Sequence, residues 1–446
     1  MSEQIHQVAI IGGGVCGTAL LYLLAEYSDV NDIVMIEKYD AVATVNSHGR
    51  NNSQTLHCGD IETNYTLDKA SKVKAAAEMV VNYTATLDNR DHVIFKYPKM
   101  VIGVGEIECR QLRERFTIFR DRFTSMQLLE KEDIARIEPN VVIMQNGEYR
   151  PEPCVALAVL DEYSAVDFNK LAESFVSEAK KNADTTIQLK MNSHVEEIRH
   201  IDGVFHINTQ DQNIKAKTVV VSAGGHSLLM AQQMGHGLEF SCLPVAGSFY
   251  FTPKVLNGKV YTVQNDKLPF AAVHGDPDVL IEGKTRFGPT ALLLPLLERY
   301  NLSTFFEFLR VLKLDRHVLK VFWDLFKVSD IRNYIFKNFL FEVPGLRRWL
   351  FLKDARKIVP SLQLKDVSFA KGFGGVRPQL IDKKKSVLML GEAKINPGNG
   401  IVFNMTPSPG ATSCLENAEL DMRLVTGFLG VNIDEQKLQQ VLHKAS

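Results

Sequence analysis

The sequence predicts an α/β protein in which a parallel-sheet domain is joined to an antiparallel-sheet domain that carries a helical insertion. Three observations predict it. Residues 7–39 read as strand, glycine turn, helix and second strand, and residues 243–279 alternate apolar and polar side chains. Residues 296–357 are dense in aromatic and basic side chains, unlike the rest of the chain. With 446 residues, the chain is long enough for two domains with separate cores.

The first element is a short apolar run, residues 8–11, which suits a strand buried on both faces. Gly12, Gly14 and Gly17 follow at GxGxxG spacing, directly before the helical residues 18–27. The first glycine permits a tight turn, the second lets the backbone approach a pyrophosphate, and the third lets helix and strand pack closely. Phosphates then lie on the free N–H groups of the helix N-terminus.

A second strand, residues 33–36, ends in Glu37, about twenty residues beyond the last glycine. A carboxylate at that place is positioned to accept a hydrogen bond from a ribose hydroxyl. Strand, glycine turn, helix, strand and acid together predict a Rossmann-like dinucleotide-binding domain. No second GxGxxG follows a strand, so a separate nicotinamide-binding domain is not expected and NAD(P) is not the expected electron acceptor.

Composition excludes several classes of protein. Hydrophobic residues make up 45% of the chain and charged residues 23%, which is typical of a globular protein. The formal net charge of −1 gives no overall field that would attract nucleic acid. No apolar run is long enough for a transmembrane helix, and the first strand begins too early to leave room for a signal peptide. Six scattered cysteines without metal-ligand spacing indicate reduced thiols in a cytoplasmic protein that holds no metal.

The segments between these landmarks are interpreted from their periodicity. The polar residues 41–66 follow the dinucleotide unit at the place where a cofactor's reactive end would be held. An Asp202-Gly203 turn predicts a hairpin over residues 194–209, and an Asn257-Gly258 turn lies within the alternating residues 243–279. The remaining predicted helices are residues 67–90, 110–137 and 167–181, and the remaining predicted strands are residues 96–105, 186–189 and 216–225.

The aromatic-basic stretch, residues 296–357, has two open interpretations. Its aromatic residues include Trp323 and Trp349, and its basic residues outnumber its acidic ones. Such a composition suits an amphipathic surface at an anionic bilayer, and it equally suits a helical subdomain whose aromatic side chains form a core.

Near the end of the chain we predict a short buried strand over residues 386–390, a loop over 391–410 and a closing helix over 411–424. The lead-in to that helix, residues 406–412, sets several N–H groups at a helix N-terminus, where an anion or a carbonyl oxygen can be held. We expect residues 1–90, 151–235 and 366–446 to form the cofactor domain. Residues 91–150 and 236–365 then form the substrate domain, which includes the aromatic-basic stretch.

Five motifs give the chain a resemblance to a known family. They are GGGVCG followed by Glu37, NNSQTLHCGDIETNYT, AVHGDPDVLIEGKTRFGPTALLLP, GFGGVRPQLID and NMTPSPGATSCLENA. Together they resemble the FAD-dependent enzymes of the D-amino-acid oxidase and glycerol-3-phosphate dehydrogenase superfamily (GR2-type flavoproteins). Within that superfamily the sequence is similar to the bacterial malate:quinone oxidoreductases. The loop Ser47-His48-Gly49-Arg50-Asn51-Asn52-Ser53 departs from the Thr-Gly-His variant common in that family and is closer to the L-2-hydroxyglutarate dehydrogenases.

The resemblance implies a set of residues for FAD. Gly12, Gly14, Gly17 and Glu37 would hold the ADP half, and Lys38 with the Asn52-Ser53 backbone would follow the pyrophosphate and ribityl chain. The other positions implied are Val195 and Gly224 beside the adenine, and Gly375, Ser408, Gly410, Ala411 and Thr412 beside the isoalloxazine ring.

It also implies the reaction, the oxidation of (S)-malate to oxaloacetate, with a membrane quinone reoxidising the flavin and with peripheral contact with the inner membrane. For a dicarboxylate, Arg377 is the first candidate for a carboxylate clamp and Arg286 the second. His57 and His274 are the candidates for the base that takes the hydroxyl proton.

Other functions remain open at this stage. They are an L-2-hydroxyglutarate dehydrogenase, a flavin oxidase of another 2-hydroxy or amino acid that passes electrons to oxygen, and a flavin-binding module without turnover. A nucleic-acid-modifying flavoprotein has the least support, because neither the overall charge nor a binding motif favours it.

Overall fold

The computed structural model describes residues 4–264, 273–389, 392–406 and 409–444. Within them the chain forms a sheet with a parallel core, an antiparallel eight-stranded sheet, a four-stranded sheet and a two-stranded ribbon. The fold class predicted from the sequence is thus confirmed, including the helical insertion.

The strands, in chain order, are β1 (Ile5–Ile11), β2 (Asp32–Ile36), β3 (Ile94–Lys96), β4 (Lys99–Val104), β5 (Gln127–Leu129), β6 (Cys154–Val159), β7 (Tyr163–Val166), β8 (Thr186–Lys190), β9 (Val195–Ile201), β10 (Val204–Thr209), β11 (Asn213–Val221), β12 (Phe240–Ala246), β13 (Tyr250–Pro253), β14 (Lys259–Thr262), β15 (His274–Pro277), β16 (Lys284–Gly288), β17 (Leu292–Leu293), β18 (Ser368–Phe369), β19 (Val376–Asp382), β20 (Val387–Met389), β21 (Ala393–Ile395) and β22 (Ile401–Met405).

The helices are α1 (Val15–Tyr27), α2 (Leu67–Thr84), α3 (Glu106–Phe119), α4 (Lys131–Ile137), α5 (Pro139–Val142), α6 (Phe168–Ala179), α7 (Gly225–Gln233), α8 (Thr304–Leu312), α9 (Arg316–Lys327), α10 (Ser329–Leu340), α11 (Arg347–Ile358), α12 (Cys414–Leu429) and α13 (Glu435–Leu442), with a 3₁₀ turn at Arg90–His92.

The parallel core of the first sheet runs in the order β22-β11-β1-β2-β8, so the first strand lies at its centre. Alternate side chains of β1 enter two different cores. Val8 and Ile10 pack with helices α1, α6 and α12, and Ala9 and Ile11 pack with α7 and α8 on the other face. Because both faces are covered, β1 is apolar throughout residues 8–11, as a central parallel strand requires.

The hairpin predicted over residues 194–209 is confirmed. Strands β9 and β10 pair antiparallel, with Ile201 opposite Val204, and β10 continues the sheet from β11. Asp202 and Gly203 both have positive φ angles, 50° and 77°, which is the backbone geometry of the tight hairpin turn that an Asp-Gly pair favours.

The second large sheet has the order β18-β13-β16-β15-β14-β4-β6-β5 and, apart from the parallel pair β14 and β4, is antiparallel. The antiparallel sheet predicted around residues 243–279 therefore exists, although the Asn257-Gly258 turn does not join neighbouring strands. It carries the chain from β13 to β14, and β16 and β15 lie between those two strands. The first strand of that stretch, β12, belongs to the four-stranded sheet β17-β12-β19-β20.

Two predictions near the C-terminus are wrong in detail. The strand expected to be buried over residues 386–390 is β20, an edge strand in which Val387 is largely exposed. Residues 391–410, expected to be a loop, contain β21 and β22. All five residues of β22 are buried beside β11, so its short apolar sequence completes the parallel core. The glycine, asparagine and proline residues in the flanking turns made the whole segment read as a loop, so β22 was not predicted.

Strand membership bears on the proposed division into domains. The segments 151–235 and 366–446, assigned above to the cofactor domain, contribute β6 and β18 to the antiparallel sheet and β19 and β20 to the four-stranded sheet. The chain therefore passes repeatedly between the parallel and antiparallel sheets, and the residue boundaries of the two domains stay a prediction.

Two helical glycines provide a test of the packing beneath the first turn. In Gly17→Ala the new Cβ atom would lie 2.0 Å from the carbonyl oxygen of Gly12, so helix α1 must move away from β1. In Gly427→Ala, within α12, nothing lies within 4 Å of the added Cβ. We expect Gly17→Ala to lower the thermal midpoint of unfolding. Gly427→Ala should raise the free energy of unfolding by up to about 1 kcal/mol, because alanine favours helix. Equal thermal midpoints for the two variants would contradict this account.

Candidate active site

A large cavity lies at the carboxyl ends of β1, β2 and β11, and its floor is the first glycine turn. Gly12 has a φ of 107°, and its N–H group donates to the carbonyl oxygen of Ile36 at 2.9 Å. A Cβ atom on Gly12 would lie 2.5 Å from the carbonyl oxygen of Ser222, so only glycine lets the turn pass this close to the end of β11. Gly14 lines the cavity, and Gly17 lies below it, against Gly12.

The N-terminus of α1 faces this cavity without a side-chain cap of its own. Its first turn holds no acidic residue, and the Val15 N–H group donates to Ser47 Oγ at 2.9 Å. The positive end of the helix dipole is therefore available to an anion such as a pyrophosphate.

Glu37 reaches the cavity from the end of β2. Its Oε2 atom accepts a hydrogen bond from the Gly13 N–H group at 2.7 Å, and its Oε1 atom accepts one from the Tyr39 N–H group at 3.0 Å. An ionised carboxylate can accept about four hydrogen bonds, so acceptor capacity remains for ribose hydroxyl groups. The two backbone bonds fix the carboxylate in place before any ligand arrives.

Lys38, Val195 and Gly224 also line the cavity, as the sequence predicted. The Lys38 ammonium is paired with the carboxylate of Glu298, a residue of the segment that leads into α8. Glu298 and His226 line the same wall, and sequence reasoning missed both. No motif marked Glu298, because its sequence position lies far from every glycine of the dinucleotide unit and only the tertiary fold brings it to Lys38.

A second group of predicted cofactor residues meets around the loop after Glu37. Asn52 and Ser53 line the cavity, and the Asn52 side chain donates to the carbonyl oxygens of Asn46 and His48, which fixes the loop. A Cβ atom on Gly375 would lie 2.4 Å from the carbonyl oxygen of Asn51. Gly410, Ala411 and Thr412 line the cavity beside these residues, and Ser408 lies outside the described residues.

His57 lies on the cavity wall with its imidazole oriented by a carboxylate. Its Nδ1 atom lies 2.7 Å from Oε1 of the buried Glu62, and its backbone N–H group donates to Thr412 Oγ1. Burial alone would raise the pKa of Glu62, but the hydrogen bond from His57 and the charge on its ring hold that pKa below its usual value. Nε2 is thus the imidazole nitrogen left for a substrate proton. Glu62 was missed from the sequence, although it lies only five residues after His57.

Arg377 is a partly buried cation on the cavity wall that forms no ion pair with any carboxylate of the described chain. Burial lowers the pKa of its guanidinium, and nearby Tyr334, Tyr261 and Tyr65 partly offset this effect. Tyr334 packs on Val245, which lies directly across the sheet from Arg377. A partly buried cation without a carboxylate partner is costly in the free protein, so the site is prepared for an anionic ligand.

The other two predicted catalytic residues do not line this cavity. Arg286 is fully buried, donates to the carbonyl oxygen of Gly49 at 3.0 Å and lies 3.4 Å from Asp278. His274 stacks on Tyr261 with ring centroids 4.3 Å apart and lies 3.8 Å from Asp276. Each contacts the lining only through a neighbour: Tyr261, on which His274 stacks, hydrogen-bonds Thr55, and Arg286 lies over the ring of Phe249. A direct role for either residue stays a prediction.

The cavity residues fit FAD by features of their own. At Gly12 and Gly375 the missing side chain lets two backbone segments of the cavity lining lie in close contact, which fixes the shape of the lining. The Oδ1 atom of Asn51, on the cavity wall, is buried and has no hydrogen-bond partner among the residues the structure describes, so a donor such as a flavin N–H group would complete it. An uncapped helix N-terminus and the Glu37 carboxylate supply the partners that pyrophosphate and ribose require.

Solved structures similar to this fold include an enzyme with FAD bound. The L-α-glycerophosphate oxidase of Mycoplasma pneumoniae, solved with FAD bound, matches with a TM-score of 0.64 and 19% identity, over 96% of each chain. A glycine oxidase from Geobacillus kaustophilus matches with a TM-score of 0.65 and 16% identity, over 95% of each chain. At these identities the likeness shows the fold alone.

Sequence comparison gives a narrower result. Residues 4–442 match the family model described as Malate:quinone oxidoreductase (Mqo). A probable malate:quinone oxidoreductase of Campylobacter jejuni is 50% identical over 448 aligned positions, which cover 99% of this chain and 100% of the relative. The malate:quinone oxidoreductase of Helicobacter pylori strain 26695 is 46% identical, over 99% of this chain and 98% of the relative. With a whole-chain family match and relatives at this identity, the protein belongs to the malate:quinone oxidoreductase family.

Proposed function

We propose that this chain oxidises (S)-malate to oxaloacetate, with FAD as the hydride acceptor and a membrane quinone as the terminal acceptor. Family membership supports the reaction, and the position of Arg377 is the structural observation that carries it. A 2-hydroxy diacid presents carboxylates to a cavity whose lining includes both the Arg377 guanidinium, which has no carboxylate partner among the described residues, and the oriented imidazole of His57. The alternative acid considered above, L-2-hydroxyglutarate, has no support from these relatives, which are named for malate.

The residues divide the chemistry among them. Arg377 holds a substrate carboxylate by charge-assisted hydrogen bonds. His57 Nε2 takes the proton from the C2 hydroxyl group, and Glu62 fixes the tautomer and stabilises the imidazolium that forms. Bound FAD supplies the acceptor for the hydride that leaves C2.

An anaerobic visible spectrum tests the whole cycle. We expect the flavin band of the purified protein to bleach on addition of L-malate and to return on addition of a quinone analogue. If L-2-hydroxyglutarate bleached the flavin band and malate did not, the substrate would be L-2-hydroxyglutarate. Formation of hydrogen peroxide at the rate of malate turnover, without quinone, would instead indicate an oxidase.

Replacement of Arg377 tests the carboxylate clamp. Arg377→Ala should raise the KM for malate roughly 10- to 100-fold, because a hydrogen-bonded charge contributes about 1.5–3 kcal/mol. The KM of Arg377→Lys should lie between those of the wild type and Arg377→Ala, since lysine keeps the charge but lacks the planar guanidinium. Arg136→Ala, at an exposed arginine, is the matched control and should leave KM unchanged. Unaltered malate affinity in Arg377→Ala would remove the clamp from the mechanism.

Replacement of His57 tests the base. His57→Gln should slow flavin reduction by malate roughly 10²–10⁴-fold while FAD stays bound, which is the usual contribution of a positioned general base. Glu62→Gln keeps the shape of the side chain but loses the charge, so it should slow the same step less. His92→Gln, at an exposed histidine, serves as the control. Stopped-flow absorbance under anaerobic conditions measures each rate. A normal reduction rate in His57→Gln would exclude this residue as the base.

Quinone dissolves in lipid, so the second half of the cycle needs access to a bilayer. None of the described helices is long and apolar enough to span one. Helices α8 to α11 instead place large apolar side chains in contact with solvent, among them Phe306 at 69%, Trp323 at 61%, Phe336 at 62% and Phe339 at 59% exposure. Buried residues such as Val311 and Val318 pack α8 and α9 on the protein core. The core interpretation of this stretch therefore accounts for the inner face of these helices, and the membrane interpretation accounts for their exposed face.

Charge in the aromatic-basic stretch suits an anionic bilayer. Residues 296–357 hold 13 Lys and Arg side chains against 7 Asp and Glu, an excess of 13 − 7 = 6 positive charges in a chain whose net charge is −1. Lys353 lies over the ring of Trp349, with 4.2 Å between its Nζ atom and the ring centroid. Basic groups among exposed aromatic rings are typical of surfaces that rest in the headgroup region. Peripheral membrane contact through this surface is therefore part of the proposal.

Vesicle flotation tests the membrane surface. The triple variant Trp323→Ala, Phe336→Ala, Phe339→Ala should lose binding to vesicles that contain anionic lipid, because these rings supply the apolar contact. Its control is Ile107→Ser with Ile118→Ser, two exposed apolar residues on α3 outside the stretch. Reduction of FAD by malate should stay normal in both. Vesicle binding that survives the triple variant would place the membrane surface elsewhere.

A further inference from the structure

The insertion that begins at residue 296 meets the cofactor cavity as well as the solvent. Leu297 and Glu298 line the cavity, and Glu307 on α8 contacts another lining residue, His226. The Glu298 side chain is only 9% exposed. One of its oxygens pairs with the Lys38 ammonium, and the other accepts hydrogen bonds from the Tyr39 hydroxyl and from Asn301 Nδ2.

The Lys38–Glu298 and His226–Glu307 contacts reach the cavity wall at the ends of two different strands, β2 and β11. Lys38 follows Glu37 at the end of β2, which is the place for the adenosine ribose. His226 lies in the first turn of α7, just after β11, and its Nε2 atom is 2.9 Å from Glu307 Oε2. Both ion pairs therefore join the wall around the adenosine half of the cofactor to one short segment of the insertion.

The charges make these contacts specific. Burial alone would raise the pKa of Glu298, but Lys38 holds it below the usual value. The hydrogen bond from His226 lowers the pKa of Glu307. Both carboxylates are therefore ionised at neutral pH. Glu298, which is largely buried, needs the Lys38 ammonium because a buried charge without a partner is strongly unfavourable, and the partly exposed Glu307 is held by its hydrogen bond with His226. If either pair breaks, the segment loses its preferred position against the wall.

We propose that the Lys38–Glu298 and His226–Glu307 pairs latch residues 296–312 over the adenosine half of FAD and so set how tightly the cofactor is retained. Glu298 and Glu307 act as positioning residues, through Lys38 and His226. This inference needs FAD in the cavity and does not depend on which acid is oxidised. It gives the insertion a second role, beside the membrane contact proposed for its exposed face.

The test measures cofactor release. Glu298→Gln, Glu307→Gln and the double variant are prepared as holoenzymes, and dissociation of FAD after dilution is followed by the fluorescence of free flavin. We expect the double variant to release FAD at least about tenfold faster than the wild type, with the single variants between them. Asp354→Asn is the control, because it breaks an ion pair with Lys337 inside the insertion and away from the cavity. Its release rate should equal that of the wild type.

A double-mutant cycle separates a latch from general loosening. His226→Gln, Glu307→Gln and their combination should accelerate release to the same extent, since removing either partner already opens the pair. Additive effects, or release rates like the wild type in the Glu298→Gln, Glu307→Gln double variant, would overturn the latch. The readout needs no substrate, so a flavin that binds normally but ignores malate would contradict the reaction and leave the latch intact.

Discussion

The close approach of three backbone segments beneath the cavity is the constraint on which the rest of the structure depends. The turn at Gly12 passes against the end of β11, and α1 begins directly on that turn through Gly17. This contact fixes both the direction of the helix dipole and the depth of the cavity floor. If a side chain separated these segments, the N–H groups of α1 would no longer face the place where a pyrophosphate lies, and Glu37 would lose its bond from Gly13.

Electrostatics then separates structural charges from functional ones. Outside the cavity lining, buried cations have carboxylates within reach: Lys99 lies 2.7 Å from Asp60, Lys259 lies 3.5 Å from Asp276, and Arg286 lies 3.4 Å from Asp278. Such pairs offset the cost of burial within the protein. Arg377 faces the cavity without such a partner among the described residues, so a bound anion is the compensation we propose for it. The same logic supports His57, whose imidazole has Glu62 to stabilise its charged form.

The sequence predicted those parts of the protein that local chemistry determines. The dinucleotide unit, the β9–β10 hairpin and the cavity positions of His57 and Arg377 follow from glycine spacing, a turn dipeptide and the motifs around the two side chains. Strand β22 was missed because its five residues, four of them apolar, lie among turn-forming residues, and its pairing with β11 is a long-range contact. Glu298, His226 and Tyr334 have no local signature, since each reaches the site from a helix or loop placed by tertiary packing. Arg286 and His274 lie in a motif, but their strands place them outside the cavity lining.

The position of β22 also has a consequence for how the protein is made. The parallel core joins the beginning of the chain to its end: Cys16 lies beneath Gly410, and the thiol of Cys16 is 3.5 Å from the carbonyl oxygen of Gly410. During synthesis the glycine turn emerges first, while β22 and the residues that cover the cavity emerge last. The cavity therefore cannot close on the ribosome until nearly the whole chain has left the exit tunnel. Until then the apolar faces of β1 and β2 lack the part of their cover that α12 and β22 supply, and the cavity that would receive the flavin is incomplete.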